Sequence, residues 1–182
     1  MSKQKSLIHV YTGDGKGKTT AAIGLAMRAV KAGKRVAVVF FDKAGDFYSE
    51  RKLFDEEFVG RIDYWVCGRQ RFDPEKDSFD LSVTEQDKWE ARRGIEMARD
   101  IMEEDRYEIL VLDEINNVLR QNLVEARQVL DLISQKPEKM ELILTGRGAT
   151  PEIIEAADLV TDMRNVKHYM EQGVLARRGI DY

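Results

Sequence analysis

One cysteine, two histidines, three prolines and no long apolar run set the first limits on this 182-residue chain. With Cys67 alone no intrachain disulfide forms, so burial must hold the fold together. Two histidines and one cysteine are too few for the usual zinc ligand sets, and zinc chemistry is not expected. No stretch approaches the roughly 20 consecutive apolar residues that cross a bilayer. The opening MSKQKSLIHV also lacks the apolar region and small-residue cleavage site of a signal peptide. The expectation is a protein of the reducing cytoplasm with no membrane partner. An excess of positive charge is missing too. The formal net charge is -4 although 34% of the residues are charged, so no overall potential steers the chain towards nucleic acid. The 43% of hydrophobic residues suffice for one sizeable core, and the length is short for two ordinary domains. A single domain over residues 1–182 is expected.

Short β-favouring runs alternate with stretches of helical period. "LIHVYT", "TTAAIGLAMRAVKA", Gly33 as a C-cap and "RVAVVFF" make a βαβ opening. The second strand is almost wholly apolar rather than alternating, which fits a parallel strand covered on both faces. "RIDYWV" reads as a third strand. Ser82-Val-Thr-Glu predicts a capping box for a long polar helix through about Glu104. "YEILVLDE" then reads as a buried strand ending in two acids. A helix around Val124 to Ser134, the strand "ELILTG", a short helix opened by Thr150 and Pro151, and a last strand near "LVTDMR" complete the pattern. Residues 67–80 show no period and read as either a functional lid or a mobile loop. The fold class is therefore α/β: a mostly parallel sheet flanked by helices, with ligands beyond the carboxyl ends of the strands.

"HVYTGDGKGKTTAA" places a phosphate cradle between the first strand and the first helix. The usual P-loop is Gly-x-x-x-x-Gly-Lys-Ser/Thr. Here Gly17, Lys18 and Thr19 supply its end, while the expected first glycine falls on Thr12 and Gly13 comes one residue late. Gly13, Gly15 and Gly17 let backbone N–H groups turn towards an anion, and the helix start adds its positive dipole end. Lys18 brings a point charge to phosphate, Lys16 a second one, and Thr19 offers a hydroxyl to magnesium. Asp113 and Glu114, closing "ILVLDE" about a hundred residues later, are Walker-B-like acids that hold the metal or orient water. Arg147 in "TGRG" meets phosphate, or an acid across a subunit interface, or is simply an exposed turn residue. His168 beside Lys167 is a further candidate ligand contact. His9 reads as structural and Cys67 as a spectator. An ATPase or kinase cleaving between phosphates, and a non-catalytic nucleotide or corrinoid carrier or sensor, are the alternatives these residues leave open.

These motifs together resemble the ATP:corrinoid adenosyltransferase family of the BtuR, CobA and CobO type. Its loop, Gly-Asn/Asp-Gly-Lys-Gly-Lys-Thr-Thr, matches Gly13, Asp14, Gly15, Lys16, Gly17, Lys18, Thr19 and Thr20, with the same displaced glycine. Its Asp-Glu strand end matches Asp113 and Glu114, and its Thr-Gly-Arg-Gly matches residues 145–148. Its closing pattern matches residues 166–168, Gly173 and residues 179–182. The resemblance implies a P-loop NTPase-like (RecA-like) α/β fold with ATP as co-substrate, lying reversed in the cradle. Co(I) of a corrinoid attacks the 5′-carbon of the ribose, and triphosphate leaves. It also implies Mg2+ or Mn2+ at Thr19, Asp113 and Glu114, a flavin-dependent or other reductase that supplies Co(I), and a homodimer. Co(I) carries no proton to remove, so the two acids go to the metal rather than to general-base work, with Lys18 and Glu114 as the catalytic residues. The family's aromatic Phe-Thr-Trp-Glu-Thr segment is absent. That region reads "CGRQRFDPEKDSFDLSVTEQDKW", with Tyr64, Trp65, Phe72 and Phe79 as the aromatic residues on offer. Lys43 and Gly45 keep the outline of the family's Phe-Ile/Met-Lys-Gly stretch.

Overall fold

The apolar run VAVVFF sets the layering of the fold. In β2 (Val36–Phe41) every residue is buried. Val36, Val38 and Phe40 join one apolar cluster, and Ala37, Val39 and Phe41 join another on the opposite face. Successive strand side chains point to opposite faces, so a strand without polar residues needs cover on both. One face is covered by α1 (Lys18–Lys31) through Ala22, Ala26 and Val30, and by α2 (Ser49–Glu57) through Phe54. The other is covered by α3 (Glu85–Glu103), α4 (Ile115–Arg120), α5 (Ala126–Gln135) and α6 (Pro151–Ala156). This computed structural model describes residues 5–73, 78–80 and 82–182, without side-chain detail for residues 72, 73, 78 and 79.

The remaining long strands are β1 (Ile8–Thr12), β3 (Ile62–Cys67), β6 (Ile109–Asp113), β7 (Glu141–Thr145) and β8 (Leu159–Asp162). With β2 they form a six-stranded sheet in the order β3-β2-β6-β7-β1-β8, every neighbouring pair parallel. This is the expected α/β architecture. Because all strands run the same way, Thr12, Phe41, Asp113 and Thr145 end at one edge of the sheet, where ligands of such folds sit.

Three local features differ from the sequence reading. The capping box of α3 belongs to Thr84 and Asp87, not to Ser82 and Glu85. The Thr84 side chain accepts from the Asp87 N–H, and Asp87 accepts from the Thr84 N–H at 2.7 Å. Arg69 and Arg71 also bind Asp87, so tertiary pairing selects that register of the cap. Helices α2 and α4 were not expected: α2 buries only Arg51 and Phe54, and α4 is six residues long, both too little for a readable period. Within the aperiodic stretch 67–80, β4 (Phe72–Asp73) pairs antiparallel with β5 (Ser78–Phe79). Residues 74–77 and the side chains of Phe72 and Phe79 lie outside the described residues.

Gly94 of α3 packs on the ring of buried Phe41, and a Cβ added there would lie 2.8 Å from Phe41 Cζ. Alanine favours helix by about 1 kcal/mol, but overpacking a filled core costs about 1–3 kcal/mol. Gly94→Ala is expected to lower the melting temperature by several degrees, at about 2–4 °C per kcal/mol for a chain of this size. An unchanged or higher melting temperature would show that Phe41 can turn aside freely.

Candidate active site

Residues 13–17 bridge β1 and α1. Gly17, the N-cap, has φ 116, and Gly13 has φ 95, both in the left-handed region that glycine enters without strain. The chain leaving β8 lies across this loop. Met163 O accepts from the Gly15 N–H at 2.6 Å, and a Cβ on Gly15 would sit 2.6 Å from that oxygen and 2.7 Å from Arg164 O. A Cβ on Gly13 would sit 2.5 Å from Met163 O. These two glycines therefore admit a backbone crossing. Of the loop amides that the sequence reading turns towards an anion, that of Gly15 has Met163 O as its partner. Lys18, buried, folds back to donate to Gly13 O at 2.7 Å and Gly15 O at 2.6 Å. Burial lowers the Lys18 pKa, and the charge of Glu114 opposes that shift.

The acid pair lies beside the loop at the end of β6. Asp113 is 1% exposed. It accepts from the Thr145 hydroxyl at 2.7 Å and from Lys43 Nζ at 2.5 Å. The same Lys43 nitrogen donates to Thr19 Oγ1 at 2.7 Å and lies 3.6 Å from Glu114 Oε1. Burial works against the charged lysine, but Asp113 and Glu114 outweigh it and hold the Lys43 pKa above the ordinary lysine value. Glu114 takes φ 68, a left-handed conformation costly for a non-glycine residue, and its N–H donates to Thr145 Oγ1 at 3.0 Å. Burial raises the Glu114 pKa, with Lys43 opposing. Arg51 fixes the backbone carrying Lys43 by donating to Gly45 O and Lys43 O, its guanidinium stacked over Phe40 and Tyr48.

A cavity of about 550 Å3, within the usual size of small-molecule sites, joins these parts. Gly15, Lys16, Gly17, Lys18, Thr19 and Thr20 line one side of it, and Glu114, Arg147 and His168 another. Arg147 is exposed at the rim. His168 Nδ1 accepts from the Met170 N–H at 3.2 Å and so also caps the short turn Tyr169–Gln172. Gly13, Asp14, Asp113 and Lys167 do not line the cavity: Asp113 is covered by Lys43, and Asp14 and Lys167 face outward. The other wall is the tail. Lys16 Nζ donates to Ile180 O at 2.8 Å and pairs with Asp181 at 3.0 Å, while Tyr182 packs edge-on against Phe47.

Residues 4–182 match the family described as ATP:corrinoid adenosyltransferase BtuR/CobO/CobP. The chain belongs to this family. A corrinoid adenosyltransferase of Sinorhizobium sp is 33% identical over 180 residues, covering 98% of this chain and 81% of the relative. That of Escherichia coli strain K12 is 34% identical over 179 residues, covering 98% and 87%. The corrinoid adenosyltransferase CobA of Salmonella typhimurium is 32% identical over 180 residues, covering 99% and 87%.

In this adenosyltransferase-family chain, Tyr64 and Trp65 serve packing. Tyr64 bonds Asp55 at 2.9 Å and meets Phe40 edge-on, and Trp65 packs against Tyr107. Neither lines the cavity. His9 pairs with Glu141 at 2.8 Å, and the Cys67 thiol is buried, its pKa pushed up to about 11, which fits their expected structural and spectator parts. Sequence reasoning missed Lys43, Tyr48, Glu50 and Asp181 as cavity residues. The resemblance quoted the terminal Gly-Ile-Asp-Tyr without placing it, and that match was the available signal for Asp181. Thr19, Asp113 and Glu114 present three hard oxygen donors around one cationic nitrogen, the donor chemistry that suits magnesium or manganese. Among the described residues no group of three or more His, Cys, Asp or Glu could hold a metal, so a cation at this place needs Thr19 and ligand oxygens as well. No helix of the described residues is long and apolar enough to cross a membrane.

Proposed function

We propose that this chain transfers the 5′-deoxyadenosyl group of ATP to Co(I) of a corrinoid and releases triphosphate. The observation that carries the reading is a family likeness spanning residues 4–182 whose loop, acid, Thr-Gly-Arg-Gly and terminal motifs all border one cavity. Cobalt contributes the electron pair of the new Co–C bond, the C5′–O bond breaks, and its electrons leave with triphosphate. The site must therefore bind ATP with C5′ presented to the corrinoid and stabilise charge growing on the leaving group. Lys18 exchanges its loop carbonyls for phosphate oxygens, and Lys16, Thr20 and Arg147 supply further donors along the chain of phosphates. Gly13, Asp14, Gly15 and Gly17 shape the cradle, in which ATP lies reversed. His168 contacts ligand from the tail side, and Lys167 adds positive charge next to it. A magnesium or manganese ion held by Thr19, Asp113 and Glu114 would add positive charge beside the leaving group. Co(I) comes from a flavin-dependent or other reductase, and the protein works as a homodimer.

Phosphorus NMR of the products tests the reading. Protein, Mg-ATP and a chemically reduced corrinoid are expected to yield intact triphosphate in step with an adenosyl–cobalt spectrum. ADP and orthophosphate formed without corrinoid would instead mark a phosphate-cleaving enzyme. ATP left whole under reducing conditions would mark a carrier. Glu114→Gln is expected to raise the Mg2+ concentration for half-maximal rate at least about tenfold, a loss seen even for groups one step removed from a metal. An unaltered metal requirement and rate would remove Glu114 from that role.

A further inference from the structure

Lys43 stands where the sequence reading put no functional group, in contact with three residues to which it gave a metal. Its ammonium lies 2.7 Å from Thr19 Oγ1, 2.5 Å from Asp113 Oδ2 and 3.6 Å from Glu114 Oε1. Magnesium takes oxygen ligands at about 2.0–2.1 Å, so an ion bound to these oxygens and an ammonium bonded to the same oxygens exclude one another. We propose that Lys43 is a built-in counter-ion that occupies the divalent-cation position until nucleotide arrives, so that metal loads together with ATP and not before it. The inference rests on the metal role proposed above for Thr19, Asp113 and Glu114.

The surroundings supply both the hold and the release. Arg51 pins the Lys43 backbone through the Lys43 and Gly45 carbonyls, which leaves the four-carbon stem as the moving part. Lys43, Tyr48 and Glu50 line the same cavity as Lys18 and Thr19, so the ammonium can turn from the acids towards a ligand without leaving the site. A divalent ion arriving alone must expel the ammonium from Asp113 and Glu114 and leave it, largely buried, with Glu50 as the remaining carboxylate that faces it in the cavity. An ion arriving on triphosphate brings the anionic oxygens that take the ammonium over. Exchange of one cation for another then becomes favourable only with nucleotide present. A merely structural ion pair predicts something different: loss of stability on substitution, with no gain in affinity for metal.

Titration of Mn2+ into nucleotide-free protein, followed by electron paramagnetic resonance, separates the two. Lys43→Met, and Lys43→Gln, which keeps a donor but not the charge, are both expected to bind Mn2+ at least about tenfold more tightly than the native protein, as removing a unit charge a few Å from the site requires. With ATP present and no reductant, native and variant affinities are expected to converge. Should a variant be unfolded alone, Mn2+ restores its near-ultraviolet circular dichroism under the proposal. Variants that bind Mn2+ no better than native protein, or that no Mn2+ concentration refolds, overturn it. Native protein that fails to release triphosphate would overturn the proposed function while leaving this metal measurement to stand or fall alone.

Discussion

Lys18→Ala is expected to cut corrinoid-dependent triphosphate release about 10²–10³-fold, the usual effect of deleting one preorganised charge-stabilising donor, while the fold survives. Among the described residues the Lys18 ammonium donates to the Gly13 and Gly15 carbonyls, at 2.7 and 2.6 Å. Gly15 lines the cavity, where water can replace the ammonium. The stability change is then that of ordinary hydrogen bonds, about 1 kcal/mol, or a few degrees in melting temperature. A steady-state assay beside a melting curve checks both halves. Turnover at the native rate would show that the lysine is not the leaving group's partner.

Asp113→Asn is expected to damage fold and activity together. Asp113 is 1% exposed and joins Lys43, at 2.5 Å, to Thr145, at 2.7 Å. Asparagine keeps an acceptor for Thr145 but sets an amide donor or a neutral oxygen against a lysine that stays charged. Removing one member of a buried ion pair costs about 3–5 kcal/mol, which corresponds to roughly 10 °C in a protein of this size. The pH dependence has a definite sign. The folded Lys43 pKa is raised, so the stability from its pairing is fully present below the unfolded lysine value of about 10.4 and is lost only as pH rises through the higher folded value. The gap in melting temperature between native protein and variant is therefore expected to hold from pH 6 to 9 and to close only above it. A gap that vanishes already at pH 7 to 8 would mean that Lys43 is neutral in the folded protein.

Much of the sheet is legible in the residues themselves. VAVVFF and the apolar stretches ILVL of β6 and LIL of β7 lack polar members because both of their faces are covered, and the glycine–lysine cluster between β1 and α1 marks the cradle by local pattern alone. What escapes are contacts whose partners are far apart in the chain. Lys43 keeps the outline of a family stretch in the sequence, but it has no partner there until Asp113, 70 positions later, is brought to it. Asp181 has no meaning until the tail returns to Lys16, 164 positions from the Ile180 carbonyl it also binds. Gly13 and Gly15 are a subtler case: the pattern identifies them correctly as required glycines, but half the requirement is the strap at Met163, which no local pattern contains. The Thr84 cap was displaced for the same reason, since Arg69 and Arg71 settle which box forms.

The central claim is an ATP whose ribose carbon, and no phosphorus atom, faces the attacking metal. A crystal structure of the protein with Mg-ATP addresses it directly. The account predicts a reversed nucleotide, its terminal phosphate deep in the loop beside Lys18 and Thr19, with C5′ open to a space large enough for a corrin ring. A conventionally oriented nucleotide, with C5′ sealed against the protein, would contradict it.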